Sequence, residues 1–596
     1  MKLNGCNPYL PLWEHLPDGE PRVFEDPDNP GKERLYIIGS HDVRNDSYCG
    51  PDIRAWSAPA EDLSDWRDEG SIFTYYINNQ WDVMYAPDLV EVKRRDGTKD
   101  YYLYPHSRGG NREAMVAKGS SPVGPFTPVN MTEDGTRTVS GSCMGFDPAV
   151  YIEYISDPND PDYEIGFRAY GYWGFQGCYA AQLDQNTMYS VRPGTDIIQY
   201  FIPASASYGV IHDPEGTTYP NVFADEDLGM FNFFEAASIR KIGNKYVWVY
   251  SGYSGPDYGL SSTNSALRYA FGDTPLGPWR SGGVLVDSRA VVVNRNGTAL
   301  QTSYSGHNTH GSIECVNGQW YAFYHRAPRG FGYMRQPMVA PVKVAWDEKA
   351  VADGGRVTIR AYDPYSEDNT WTAKAGGFEY TGAEVTSEGF NIHGMNPYGY
   401  YSAGIACYLS NEKTQTDSWD IWDNHAPIVG ITNGDIIGYK YFDFRNIEKN
   451  TKFNLFFTPK TANAFKINIW LDCPFKGTKI GEINSAQSSV DVSAYAENLN
   501  KKHALFLVAE GGESELFDLN GLGFSSDETK IARPSVPMVS ITADGKKLTP
   551  LLTPVRSTEA NGITGYDFFE VRSDSGIVDV KVDYNGAVKT YKFIIK

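Results

Sequence analysis

The stretch Lys245-Tyr246-Val247-Trp248-Val249-Tyr250-Ser251 reads as a β-strand: short, rich in aromatic and β-branched residues, and opened by the turn-forming pair Gly243-Asn244. Four other stretches repeat its character. They are Arg34-Leu35-Tyr36-Ile37-Ile38-Gly39-Ser40, Asp100-Tyr101-Tyr102-Leu103-Tyr104, Ile165-Gly166-Phe167-Arg168-Ala169-Tyr170-Gly171 and Gln319-Trp320-Tyr321-Ala322-Phe323-Tyr324-His325. They recur roughly every 60 to 80 residues, enough chain for a four-stranded antiparallel sheet with long loops. A second element keeps the same rhythm: Ser121-Pro122-Val123-Gly124-Pro125-Phe126 matches Thr274-Pro275-Leu276-Gly277-Pro278-Trp279, with a looser relative from Trp56 to Trp66. Sheets repeating at an interval stack radially, which protects their edges. The fold class expected is all-β, with a five-bladed β-propeller over residues 1–350. The blades lack a WD signature, which argues against a protein-interaction propeller.

Beyond Ala350 the pattern changes. Residues 351–395 read as a connector rich in Gly, Asp and Thr. Residues 396–530 carry strands of another kind, such as Ile436 to Phe444, Phe465 to Trp470 and Ala504 to Val508, and are expected to form a β-sandwich. Pro534-Ser535-Val536-Pro537 marks a linker, and 535–596 reads as a small β domain.

The chain has 596 residues, a net charge of −21 and 14% aromatic residues. The acidic balance excludes nucleic acid and anionic membranes as natural partners and suits a neutral substrate. Tyr and Trp serve both half-buried sheets and sugar stacking. The seven cysteines are scattered without a CxxC or zinc-like spacing, so mostly free thiols are expected. No apolar run reaches membrane-spanning length. The first residues, Met1 to Pro8, show no secretory h-region, which leaves two locations open: inside the cell, or outside with a signal removed.

Three carboxylates stand in distinctive frames: Glu20 in Asp18-Gly19-Glu20-Pro21-Arg22-Val23-Phe24, Asp88 in Tyr85-Ala86-Pro87-Asp88, and Glu235 in Phe233-Phe234-Glu235-Ala236-Ala237. An acid and a base on opposite faces of a sugar ring are the minimum needed to break a glycosidic bond. With Asn7-Pro8-Tyr9-Leu10-Pro11 upstream, these motifs resemble, in order and spacing over roughly residues 5–345, those of glycoside hydrolase family 43. The resemblance implies an inverting exo-glycosidase on plant-type polysaccharides. The α-L-arabinofuranosidase reading comes first. The alternatives are β-xylosidase, a galactofuranosidase or galactosidase of the same family, and a non-catalytic carbohydrate-binding propeller. By the same resemblance Glu235 is the general acid and Asp88 the carboxylate that tunes it.

The base is Glu20 or Asp18. Glu20 is favoured because Glu20-Pro21 fits the family's acid-Pro frame, and an extended segment would turn both residues to one side. Three further residues follow from the resemblance. His310 would hold a calcium or sodium ion near the propeller axis or be a satisfied core residue, Arg335 would reach the sugar or the base or form a salt bridge on a blade face, and Asp147 would be structural or bind sugar hydroxyls. No organic cofactor is implied. In Gly438 to Phe444 and in Leu516 to Asn520 with Phe524, residues 396–530 resemble a family 6 carbohydrate-binding module; Trp419, Trp422 and Trp470 are stacking candidates that no motif fixes, and a sandwich that only braces the propeller is the alternative.

Overall fold

The computed structural model describes residues 2–43, 47–208, 210–211, 218–293, 300–304, 306–327, 333–345, 356–363, 365–411, 413, 425–533, 539–543, 546–547, 577–584 and 587–594. The described chain is all-β. Beside short 3-10 turns, its helix is the four-residue Ala496–Leu499.

Five antiparallel sheets follow one another, each with its strands in chain order. The first holds Glu20–Glu25, Glu33–Ser40, Asp52–Pro59 and Arg67–Thr74. The second holds Asp88–Lys93, Lys99–Tyr104, Ala117–Gly119 and Thr127–Pro128, and the third Ala149–Tyr154, Phe167–Trp173, Tyr179–Leu183 and Ile198–Gln199. The fourth holds Phe233–Ile242, Lys245–Ser254, Thr263–Gly272 and Trp279–Asp287. The fifth opens with Ser312–Val316, Gln319–Arg326 and Gln336–Ala345. Each of the five aromatic runs is the second strand of its sheet, flanked on both sides by hydrogen-bonded neighbours.

These second strands are buried almost without interruption, because each sheet is covered on both faces. Successive side chains leave a strand on opposite sides. Tyr36 and Ile38 therefore enter a core shared with Leu89 and Leu103 of the second sheet. Leu35 and Ile37 enter one shared with Tyr321 and Phe323 of the fifth. Likewise Trp248 and Tyr250 pack on Tyr172 of the third sheet, while Val247 and Val249 pack with Ile313 and Tyr324 of the fifth. Val90 and Tyr102 meet Val150 and Ala169 to join the second sheet to the third. The cores thus run in a cycle, and the first strands of the sheets adjoin in the same cyclic order. The N-terminal segment closes the seam. The Asn7 side chain donates to Val339 O (2.7 Å) and accepts from Val339 N (2.9 Å), imitating a strand partner on the fifth sheet.

The segment expected as a connector does more than connect. Thr358–Asp363 and Ser366–Thr370 extend the fifth sheet to five strands, so that sheet runs past residue 350. Beyond it, two further antiparallel sheets enclose one apolar core. One is built on Phe517–Ser525 and Lys452–Pro459, the other on Ile436–Asp443, Lys502–Glu510 and Lys466–Leu471. Tyr439, Phe442, Phe453, Leu455, Ile467, Leu507 and Phe524 fill that core, which is continuous with the packing of the fourth and fifth ring sheets. Trp470 packs beside Phe475, with ring centroids 6.0 Å apart. Trp419, Trp422 and Pro534 to Pro537 lie outside the described residues. Val539–Ala543, Lys546–Lys547, Ile577–Tyr584 and Ala587–Ile594 make a final four-stranded sheet. All seven cysteines are free thiols.

Candidate active site

The first strands of the five sheets begin at one end of the ring, and the acidic residues gather where those strands begin. Asp18 stands two residues before Glu20–Glu25, and Asp147 two residues before Ala149–Tyr154. Glu235 is the third residue of Phe233–Ile242, at a point where the pairing register slips on both sides of it. The backbone there is unusual. Asp18 (φ 57°), Asp147 (φ 47°) and Ala236 beside Glu235 (φ 60°) all occupy the left-handed region, as do Cys49 (φ 61°) and Met334 (φ 58°). Each such non-glycine residue costs on the order of 1–3 kcal/mol and persists only where the surroundings impose it.

All three carboxyls are buried, and those of Glu235 and Asp18 are held in opposite charge states. Burial pushes Glu235 up, the Asp147 charge adds to it, and Asn308 Nδ2, which donates to Oε1 at 3.3 Å, only partly offsets them. Its carboxyl is raised to about 8, so it carries a proton at neutral pH. Burial acts on Asp18 in the same sense, but the Arg335 charge and the Ser40 hydrogen bond overcome it and bring the carboxyl down to about 2. Arg335 Nη1 donates to Asp18 Oδ1 at 3.0 Å. The Arg335 fork is itself fixed by buried Asp42, which accepts from Nε and Nη2, each at 2.9 Å. Asp147 Oδ1 lies 3.0 Å from His106 Nδ1. Burial opposes charge on that imidazole, but Asp147 and Glu113 push it up to about 9.

A hydrogen-bond chain ties the Asp18 side of the site to the Glu235 side. The Asp18 backbone N–H donates to His325 Nδ1 (3.0 Å). Burial and Arg335 bring His325 down to about 3, so the ring is neutral and its Nε2–H donates to Asn308 O at 3.0 Å. The Asn308 side chain then reaches Glu235. Aromatic rings line the Glu235 side: Phe175 contacts Phe146 and Phe234, the residues preceding Asp147 and Glu235, with centroids 5.1 Å away in both cases.

Glu20 and Asp88 stand elsewhere. Glu20 accepts from Ser238 Oγ and Arg240 Nη2, both at 2.8 Å, and lies 3.2 Å from Arg22. Asp88 Oδ1 accepts from Arg22 Nη2 and from Leu89 N, and Oδ2 accepts from Val150 N, all at 2.6 Å. Burial pushes the Asp88 carboxyl up, with Arg22 opposing and Glu20 adding. These two carboxylates form a buried ion cluster with Arg22 and Arg240, further along the first strands, that clamps the second sheet to the third. The carboxylates with the largest effect on Glu235 are Asp147 and Asp18 instead. The expectation that Asp18 and Glu20 face one side rested on extended backbone. The left-handed turn at Asp18 breaks that alternation.

Of the remaining expected residues, Arg335 contacts Asp18, and Asp147 contacts His106 and acts on Glu235. His310 is buried near Asp18 and His325, and its Nδ1 has no hydrogen-bond partner among the described residues. Among the described residues no group of three or more His, Cys, Asp or Glu is arranged to hold a metal ion. His325, His106 and Asp42 were not singled out from the sequence. His325 is the last residue but one of Gln319–Arg326, while Asp42 and His106 stand two residues past Glu33–Ser40 and Lys99–Tyr104, positions that could have marked them.

No family model matches this chain. A xylosidase/arabinosidase from Thermoclostridium stercorarium is 30% identical over 477 residues, 75% of this chain and 85% of the relative. Another xylosidase/arabinosidase, from Bacteroides ovatus, is 25% identical over 383 residues, 60% of this chain and 98% of the relative. Among solved structures, a glycoside hydrolase family 43 arabinoxylan arabinofuranohydrolase from Bacillus subtilis aligns with 19% identity and a TM-score of 0.37, over 87% of this chain and 97% of that one.

Proposed function

The chain belongs to glycoside hydrolase family 43 and is a glycoside hydrolase, and we propose that it releases terminal pentoses, arabinofuranose or xylose, from plant-type polysaccharides with inversion, using Asp18, Asp147 and Glu235. The observation that carries the residue assignment is the contrast between two buried carboxyls. Glu235 is held protonated at about 8 beside Asp147, and Asp18 is held ionised at about 2 by Arg335.

In this reading ionised Asp18 takes a proton from water, whose oxygen attacks the anomeric carbon. Glu235 donates its proton to the departing glycosidic oxygen. Asp147 keeps Glu235 protonated by like-charge repulsion. Arg335, oriented by Asp42, keeps Asp18 available, and Asn308 and His325 hold the two sides in register. A calcium or sodium ion at His310 would have one imidazole nitrogen among the described residues and otherwise water, a weak shell for cations that prefer oxygen ligands. Its charge would act with Arg335 in favour of ionised Asp18. The cyclic sheets are the five blades of a β-propeller. The two-sheet unit is a β-sandwich of the family 6 carbohydrate-binding type, a reading supported by its paired antiparallel sheets and shared core.

Initial rates on a panel of aryl arabinofuranosides and xylopyranosides, followed by NMR of the first anomer formed, test this proposal. Turnover giving the anomer opposite to the substrate's is expected. Retention, or an Asp18→Asn variant with wild-type turnover, would overturn it.

A further inference from the structure

Phe175 is a large apolar side chain left 47% exposed among the buried residues of the candidate site. Its setting is rigid. The turn Gly174–Gly177 joins two strands of the third sheet, and its Gly174 N–H donates to Phe146 O while its Gln176 N–H donates to Phe234 O, each at 2.7 Å. Phe175 itself pairs in an isolated antiparallel bridge with Glu235. The turn cannot be relaxed cheaply. Gly174 has φ 141°, and a Cβ there would lie 2.1 Å from the Gly177 carbonyl oxygen. Gln176 is left-handed at φ 53°. The main chain is thus stitched to the residues before both Asp147 and Glu235, and a flat ring is held in the open beside the proton donor. Asp18, Arg335 and Cys49 are joined by contacts of their own.

We propose that Phe175 is the stacking platform for the leaving sugar, the residue on the far side of the scissile bond, and so determines how well the enzyme handles saccharide leaving groups. The assignment rests on Glu235 as the general acid. The group that receives the acid's proton is the leaving oxygen, so the sugar bearing that oxygen must lie on the acid's side of the site. A pyranose presents an apolar C–H face, and an exposed ring fixed in place meets it with little loss of side-chain freedom. Part of the ring covers Phe146 and Phe234, which accounts for its edge contacts. Its exposed remainder is what a sugar would cover.

The test compares wild type with Phe175→Leu, which keeps apolar bulk without a flat ring, and Phe175→Tyr, which keeps the ring. Two substrates with the same reacting sugar are used: xylobiose, whose leaving group is a sugar, and β-xylosyl fluoride, whose leaving group has no ring to stack. Phe175→Leu should lose on the order of tenfold in kcat/KM on xylobiose, equivalent to about 1.4 kcal/mol, mainly through KM. On the fluoride it should match wild type, and Phe175→Tyr should keep activity on both. An arabinofuranosyl-substituted xylobiose and arabinofuranosyl fluoride serve as a second pair. Equal losses on both members of a pair would show that the ring only braces Glu235 and would overturn the proposal, as would no loss on either. Wild type that turns over the fluorides but shows no protonation-dependent preference between leaving groups would instead refute Glu235 as the acid.

Discussion

Replacing Asp147 with Asn keeps its shape and removes its charge, and the consequence can be worked through. Glu235 sits at about 8 for two reasons, burial first and the Asp147 charge second. With the acid at 8, about nine-tenths of the enzyme carries the needed proton at pH 7. Loss of one adjacent like charge moves a carboxyl by roughly 1–3 pH units, and burial remains, so a fall of about 1.5 is a fair working value. The midpoint then lies near 6.5, and about one quarter of the enzyme is protonated at pH 7. The direction is fixed. A general acid works only while protonated, so activity is lost as pH rises through its pKa, and the variant loses it earlier. At pH 5 the two enzymes should differ little, at pH 7 by about fourfold, and at pH 9 by about thirtyfold. The assay is kcat/KM against pH on a substrate with a poor leaving group. An unchanged basic limb, or one displaced upward, would refute the role given to Asp147.

Further outcomes are expected. Asp18→Asn should cost on the order of 10²–10⁴ in kcat on every substrate, whereas Glu20→Gln should retain turnover but melt earlier, because Arg22 and Arg240 lose a buried counter-charge. The reverse pattern would restore Glu20 as the base. Glu235→Ala should fall by a similar factor on disaccharides and far less on glycosyl fluorides, read by initial rates; equal losses would remove it as proton donor. Scanning calorimetry should separate the two acids by sign. The Glu235 carboxyl is raised in the folded state, so its ionisation destabilises the fold progressively as pH climbs from its ordinary value through about 8, and Glu235→Gln should gain up to about 3 kcal/mol at pH 7 and little at pH 4. Asp18 is depressed to about 2, so its contribution is present above its ordinary value and lost as pH falls through 2; Asp18→Asn should lose about 2 kcal/mol at pH 7. Matching signs for the two variants would contradict the opposed charge states.

The second strands were legible because they are the most enclosed element of each sheet, and enclosure on both faces demands apolar side chains at every position. What could not be read was which acid faces which charge. Asp88 and Asp147 both stand at the start of a first strand, after Pro87 in one case and before Pro148 in the other. Asp88 is already in the strand, where both its oxygens are taken by backbone N–H groups and Arg22. Asp147, like Asp18, stands two residues upstream in left-handed backbone, which turns its side chain out of the strand's alternation. A signal for this existed. Asp tolerates the left-handed region better than Glu does, because its short carboxyl can bond locally, so Asp18-Gly19 and Asp147-Pro148 were the better candidates for a turn that re-aims an acid. The same reasoning separates structure from chemistry here. Asp88 and Glu20 sit on extended backbone with arginines, hydroxyl or backbone N–H groups bonded to their oxygens. A carboxylate at a point where the backbone is held in a costly conformation is sustained only by the rest of the fold, and that is the condition of Asp147 and of Glu235 beside Ala236.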